Sequence, residues 1–171
     1  MQKNIFNEYL NLKIKKNHRN PKQETLSKMS KVIDNYLVKE IIGSGSYGNV
    51  HLAQHLKTKE LVAIKVISKE TFQKEPILNK LIKNEIVSLK NITHKNIIKF
   101  IEIMRSSNNT YFVYEYCNGG NLLSLLEKKK FLKEKQAIVY FKQVLKAFKL
   151  LVSKNIIHRD IKVENILLHD D

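Results

Sequence analysis

The hydrophobic pattern of the chain changes its period at Gly119–Gly120. Before this pair, short apolar runs bounded by glycine, serine and asparagine are typical of β-strands, with one segment of helical spacing at 77–92. After it, apolar residues recur at helical spacing, first behind Asn121 as a candidate N-cap and then over 134–154. The chain then ends in a polar segment with apolar flanks, which predicts a loop between two short strands. The order predicts an α+β fold whose sheet comes first, with a ligand site in a cleft.

The composition suits a cytoplasmic or nuclear protein. The 171 residues are enough for one domain with a hydrophobic core. Cys117 is a single cysteine, so no internal disulfide is possible and a reducing compartment is expected. No apolar run has the length of a membrane span, and the amino terminus has no secretory signal. Residues 1–35 are polar and basic and are predicted to be a disordered extension, with a short helix possible at Ile5–Ile14.

The formal net charge of +15 raises the question of a nucleic-acid partner. The excess is mostly lysine scattered along the chain, and the arginines are only Arg19, Arg105 and Arg159. Because base recognition favours arginine, we expect no nucleic-acid partner. The positive field can still attract an anionic small molecule such as ATP.

The first motif is the glycine-rich segment GSGSYG, which runs from Gly43 to Gly48. Residues without side chains let backbone N–H groups approach phosphates closely. A flexible hairpin turn is the simpler alternative, and a dinucleotide-binding fold is another. The dinucleotide fold requires a helix after the glycines, whereas Asn49–Ala53 has the pattern of a strand.

The second motif is Ala63-Ile64-Lys65, a lysine inside an apolar strand. Such a lysine is costly to bury unless an acid or a phosphate lies nearby. Glu85, on the predicted helix that follows, is placed to be that acid. A strand-edge lysine and a solvated glutamate are the alternative for each residue taken alone.

The third motif, His158-Arg159-Asp160-Ile161-Lys162-Val163-Glu164-Asn165, is the most specific. A carboxylate, an ammonium and a carboxamide so close together can orient a hydroxyl, stabilise phosphate charge and hold Mg²⁺. A charged surface loop is the alternative, but the apolar flanks Ile156–Ile157 and Ile166–Leu168 disfavour it.

In this order and near these separations, the three motifs resemble eukaryotic protein kinases. The stretches EYCNGGNL and SKNIIHRDIKVENIL are similar to serine/threonine kinases of the Unc-51-like, calmodulin-dependent and Aurora-like groups. The resemblance implies a two-lobed α+β kinase fold over 36–171. Its N-lobe, an antiparallel sheet plus one helix, covers about 36–117, and the first part of a helical C-lobe covers 118–171.

The resemblance also implies an ATP site. Its members are Ile42, Gly43, Gly45, Gly48, Val50, Ala63, Lys65, Glu115, Cys117 and Leu167. The glycines cover the phosphates and Lys65 binds the α- and β-phosphates, with Glu85 as the acid that pairs with it. The backbone of Glu115 and Cys117 bonds adenine, between apolar side chains above and below. Tyr114 is the implied gatekeeper beside adenine.

The implied catalytic residues lie in the third motif. Asp160 accepts or orients the hydroxyl of a protein substrate, Lys162 steadies the γ-phosphate, and Asn165 holds one Mg²⁺. Arg159 resembles the arginine of kinases that activation-loop phosphorylation switches on. Packing rather than chemical roles are implied for Leu89, Phe100 and His158.

One departure from the kinase pattern bears on activity. The Asp-Phe-Gly motif that supplies the second Mg²⁺ ligand does not follow the third motif before Asp171. The expectation is therefore a truncated kinase domain. The functional prediction is an ATP- and Mg²⁺-dependent serine/threonine protein kinase, with a catalytically inactive nucleotide-binding or protein-interaction fragment as the alternative.

Overall fold

The computed structural model of the protein describes residues 3–4, 31–45, 48–74, 86, 90, 92–158 and 160–169. The strands are β1 (Lys3–Asn4), β2 (Lys31–Ile33), β3 (Tyr36–Gly45), β4 (Gly48–His55), β5 (Leu61–Ser68), β6 (Phe100–Arg105), β7 (Asn109–Glu115) and β8 (Ile156–Ile157). The α-helices are α1 (Lys69–Lys74), α2 (Leu122–Lys129) and α3 (Glu134–Ser153), and a short 3-10 turn covers Val163–Asn165. Of the helix predicted over 77–92, only Ile86, Lys90 and Ile92 are described, and the first two are helical.

The chain divides into two compact units, one of which is built on the sheet. Its strand order is β2-β3-β4-β5-β7-β6, and the neighbours from β2 to β7 pair antiparallel. The Tyr36 hydroxyl on β3 donates to a Glu102 carboxylate oxygen on β6 at 2.6 Å. Because β3 and β6 are far apart in the strand order, this bond requires the sheet to curl. The concave side holds the apolar core, which consists of Tyr36, Ala53, Val62, Ile64, Met104, Tyr111 and Val113.

The second unit contains α2, α3, the parallel pair of β1 and β8, and the segment that follows β8. Asn121 is the N-cap of α2, since its side-chain oxygen accepts the N–H of Ser124 at 2.8 Å. Leu151 on α3 and Ile156 on β8 are buried, where these two elements pack together. No helix in the described part of the chain is long and apolar enough to cross a membrane.

The predicted α+β class is confirmed, with a curled antiparallel sheet and helices after Gly120. The polar extension predicted over 1–35 includes β1 and β2, which are too short to show periodicity in the sequence, and its disorder stays a prediction. One local expectation was wrong, because the second short strand predicted around Leu167 is a single bridge with Asn121. The proposed domain boundaries at 36 and 118 stay predictions.

Candidate active site

One face of the sheet carries three of the ten residues expected around ATP, namely Val50, Ala63 and Lys65, together with Tyr114. Directly paired residues of adjacent strands lie on the same face, and Val50 pairs with Lys65 while Ala63 pairs with Tyr114. Leu52 pairs with Ala63 and lies on the same face, so that Val50, Leu52 and Ala63 form an apolar wall. The sheet therefore presents an apolar surface, suited to a flat aromatic base, with one ammonium group in it.

Lys65 is buried, at 4% exposure, in the middle of β5. Removing an ammonium group from water costs several kcal/mol unless opposite charge compensates it. This position therefore suits a lysine whose partners include phosphate oxygens. Its predicted acid, Glu85, lies outside the described residues.

The glycine-rich motif forms the hairpin between β3 and β4. Gly43 pairs with Val50 and Gly45 with Gly48, while Ser46 and Tyr47 lie outside the described residues. A Cβ atom on Gly48 would lie 1.9 Å from the carbonyl oxygen of Val66, so no other residue fits there without displacing β5. Ile42 lies at an irregularity in the pairing of β3, between Ile41 and Gly43.

Two side chains of the third motif, Lys162 and Asn165, converge on the carboxylate of Asp160. Lys162 Nζ lies 3.1 Å from Asp160 Oδ2, and Asn165 Nδ2 donates to the same oxygen at 2.8 Å. Asn165 Nδ2 also donates to the Asp160 backbone carbonyl at 2.8 Å. The 3-10 turn creates this proximity, because it brings Asn165 back over the residues before it, with its N–H donating to the Lys162 carbonyl at 2.9 Å.

The amide of Asn165 fits a role as a cation ligand. Its nitrogen makes both bonds to Asp160, and its oxygen Oδ1 is buried with no hydrogen-bond partner among the described residues. A buried acceptor left without a donor costs about 1–3 kcal/mol. An amide oxygen is a hard ligand of the kind that Mg²⁺ prefers. No group of three or more His, Cys, Asp or Glu that could hold a metal occurs in the described segments.

A family model described as the protein kinase domain matches residues 36–171. The chain belongs to the serine/threonine protein kinase family. It is 39% identical over 140 residues to the CBL-interacting protein kinase 12 of Oryza sativa subsp. japonica, which covers 82% of the chain and 26% of that protein. It is 37% identical over 149 residues to the CBL-interacting serine/threonine-protein kinase 12 of Arabidopsis thaliana, covering 87% and 30%.

A human relative, the hormonally up-regulated neu tumor-associated kinase, is 37% identical over 142 residues, covering 82% of the chain and 20% of that protein. The chain thus spans between a fifth and a third of the length of these kinases. Kinases of this family generally use ATP and Mg²⁺.

In this kinase chain, His158 is partly buried and lies near the Asp160 carboxylate. Burial lowers the pKa of His158, and the charge of Asp160 opposes that shift. A neutral imidazole at physiological pH agrees with the packing role that the sequence implies. Arg159, the residue between them, lies outside the described residues.

The kinase segment that carries Leu167 is held against the residues that follow β7. The Gly119 N–H donates to the Leu168 carbonyl at 2.9 Å, and the Leu168 N–H donates to the Gly120 carbonyl at 2.8 Å. A Cβ on Gly119 would lie 2.9 Å from both the Cβ and the carbonyl oxygen of Leu168. The sequence pattern marks Gly119 only as a strand breaker, whereas the structure requires it for this close approach, which fixes the position of Leu167.

The remaining residues predicted for the site lie at the end of β7, just beyond it, or at the start of β6. Glu115 is the last residue of β7 and pairs with Val62, and Cys117 lies two residues beyond it, half-buried. Phe100 is buried at the start of β6. Leu89 lies outside the described residues. The structure thus groups Val50, Ala63 and Lys65 on one sheet face and Asp160, Lys162 and Asn165 in one loop, and their roles stay predictions.

Proposed function

We propose that the protein binds ATP with Mg²⁺ and transfers the γ-phosphate to serine or threonine hydroxyls of protein substrates. The observation that carries the proposal is the convergence of Lys162 and Asn165 on the Asp160 carboxylate. A surface loop has no need for such an arrangement, whereas phosphoryl transfer needs a carboxylate held in a fixed position beside a cation. Membership in the serine/threonine kinase family supports the same chemistry.

Nucleotide binding falls to the sheet and its glycine hairpin in this proposal. The wall made by Val50, Leu52 and Ala63 packs on adenine, and the backbone N–H groups of the hairpin approach the phosphates. Lys65 binds the α- and β-phosphates. Glu115 and Cys117 hydrogen-bond adenine through their backbone, and Leu167 packs on its other side.

Phosphoryl transfer depends on the catalytic loop. Oδ2 of Asp160 is held by Lys162 and Asn165, which leaves the carboxylate oriented to accept the substrate hydroxyl proton through Oδ1. Lys162, whose side chain is 37% exposed, can reach the transferring phosphate. Asn165 would hold Mg²⁺ through Oδ1, and the ion would neutralise charge on the phosphates.

Two substitutions test these assignments. Asp160→Asn should lower phosphotransfer to a generic basic protein by about 10²–10⁴-fold, because it removes the proton acceptor, while ATP affinity stays near the wild-type value. Lys65→Met should reduce transfer by at least about 10²-fold through lost phosphate positioning. Asp34→Asn and Lys57→Met, at exposed turn positions, are the matched controls and should leave both readouts unchanged.

Calorimetric titration with ATP–Mg²⁺ and with NAD completes the test. Binding of NAD without ATP would refute the proposal. ATP binding without measurable transfer in the wild-type chain would instead favour an inactive nucleotide-binding module. A cytoplasmic or nuclear location, supported by the single cysteine, belongs to the same proposal.

A further inference from the structure

A groove of about 600 Å³ lies between the two outermost strands of the sheet, β2 and β6. Its floor is apolar, since Met104 and Tyr111 are 9% and 4% exposed and Ile33 packs against the same core. None of the residues proposed for ATP binding or catalysis lines it. The groove is therefore a feature of the sheet that the proposed kinase chemistry does not use.

In the described part of the sheet, each strand that lines the groove has one edge with no strand beside it. Among the described residues, β2 pairs only with β3, and β6 lies beside β7 alone. Each strand therefore has backbone N–H and C=O groups on one side that can pair with an added strand. Val32, which lines the groove on β2, is 53% exposed, and an exposed apolar side chain is unusual for an edge strand that stays solvated.

One end of the groove is acidic. Asp34 follows β2, and Glu102 lies near the start of β6. Both carboxylates act electrostatically on the hydroxyl of Tyr36, and Glu102 accepts its hydrogen bond at 2.6 Å, so the two acids lie at the same end. Burial and then the contact with Glu102 raise the pKa of Tyr36, which keeps its hydroxyl a donor.

The opposite end of the groove is basic. Lys31 begins β2 and Arg105 ends β6. Lys31 is close enough to act on the hydroxyl of Tyr111, and that hydroxyl lies 3.5 Å from Oγ of Ser106, the neighbour of Arg105. At about 3.3 Å per residue, the three steps from the start of β2 to its turn separate the two ends by about 10 Å.

We propose that this groove binds an extended peptide of a partner protein by strand addition, with an acidic residue at Lys31 and Arg105 and a basic residue three or four positions away at Asp34 and Glu102. Apolar side chains between those two charges pack on Met104. The backbone of the peptide pairs with the open edges, which gives affinity, and the two charged ends set register and direction. This binding goes beyond the proposed phosphotransfer and does not depend on it.

The experiment uses a phage-displayed library of random seven-residue peptides, selected on the full chain. The selected peptides should share an acidic residue and a basic residue three or four positions apart, with apolar residues between them. The double variant Lys31→Glu, Arg105→Glu should bind the selected peptide at least about fivefold more weakly, because two attractions become repulsions. The matched control Lys39→Glu, Lys57→Glu changes charge equally outside the groove and should bind like wild type.

A version of the selected peptide with alternate backbone nitrogens methylated should lose binding, because it cannot pair with a strand edge. Lys65→Met should leave peptide binding unchanged, which separates this result from a failure of the kinase proposal. Selection of the same sequences by the charge-reversed variant would overturn the inference. Peptide binding that appears only after residues 1–30 are deleted would also overturn the inference, because the groove would then be occupied by this segment of the same chain. Dimerisation that the double variant abolishes would overturn it too, because the groove would then bind a second copy of the chain.

Discussion

Replacing Asn165 by alanine tests most directly the proposed role of Asn165 as a Mg²⁺ ligand. The substitution removes the two hydrogen bonds, each 2.8 Å, that hold the carboxylate and the backbone carbonyl of Asp160. It also removes the buried oxygen Oδ1, which has no hydrogen-bond partner among the described residues. Measured with and without Mg²⁺, the variant therefore separates the contribution of the amide to the stability of the loop from its contribution to cation binding.

The magnitude follows from these contacts. A bond to the neutral carbonyl contributes about 0.5–1.5 kcal/mol and one to the carboxylate about 1.5–3 kcal/mol. Removing the buried, unpaired oxygen Oδ1 stabilises the folded chain by about 1–3 kcal/mol, because its desolvation is no longer required. Without Mg²⁺ the net loss of stability in Asn165→Ala should therefore be small, about 1–2 kcal/mol. With ATP and Mg²⁺ the loss should be larger, because only the wild-type chain has the amide oxygen to offer.

The assay is thermal unfolding of both chains at increasing Mg²⁺ with ATP present, followed by circular dichroism because the chain has no tryptophan. The wild-type midpoint should rise with Mg²⁺, and the Asn165→Ala midpoint should rise less and at higher concentration. Asn35→Ala, at an exposed turn, is the control and should follow the wild type. Identical Mg²⁺ dependence in Asn165→Ala and wild type would refute the assignment of Asn165 as a ligand.

Three further predictions concern stability. Tyr36→Phe should lower the free energy of unfolding in urea by about 1–2 kcal/mol, because it removes the 2.6 Å hydrogen bond to Glu102. In a chain that already carries Glu102→Ala, Tyr36→Phe should cost much less. A coupling energy near zero between the two substitutions would show that this bond does not hold the curled sheet. Burial lowers the pKa of His51 and of His158, so below about pH 6.5 the unfolded chain binds more protons and stability should fall. The urea midpoint should therefore drop as the pH is lowered from about 7.5 to about 5.5, and His51→Gln should drop less. Lys130→Gly should gain about 1 kcal/mol in the same assay, because Lys130 caps α2 with φ 69°.

The proximity of the three functional groups in the third motif could be predicted from sequence because the geometry is local. Asp160, Lys162 and Asn165 are within five residues of one another, and a single turn is enough to bring their side chains to one point. The strands around Lys65 were predictable for a similar reason, since a run of apolar residues in a buried strand is itself the signal. Which residues face one another across strands, such as Val50 and Lys65, depends on register and became visible only in the structure.

Close approaches between distant segments could not be predicted. Gly48 is required by the carbonyl of Val66, and Gly119 by the backbone of Leu168. The sequence pattern does not indicate that a distant segment approaches either glycine, and an added Cβ on the neighbouring Gly120 would meet nothing within 4 Å. The groove beside β2 could not be predicted for the same reason, because the strands that form its walls are far apart in sequence. Its charged residues lie at the ends of these strands, and only the curl of the sheet brings them together.

The helix α3 shows how far an amphipathic pattern can be taken. The apolar residues predicted along one side are there, but the structure leaves them exposed: Ile138, Phe141, Leu145, Phe148 and Val152. The side that α3 buries is the adjoining one, where Leu151 is 4% exposed and packs near β8. A hydrophobic stripe identifies the side of a helix that gains free energy when it is covered, at about 25 cal/mol for each Å² removed from water. The stripe does not identify which segment packs on it, because the packing partner is determined by contacts between residues distant in sequence. For the same physical reason, the residues of a single loop are a firmer basis for assigning chemistry than the faces of its helices.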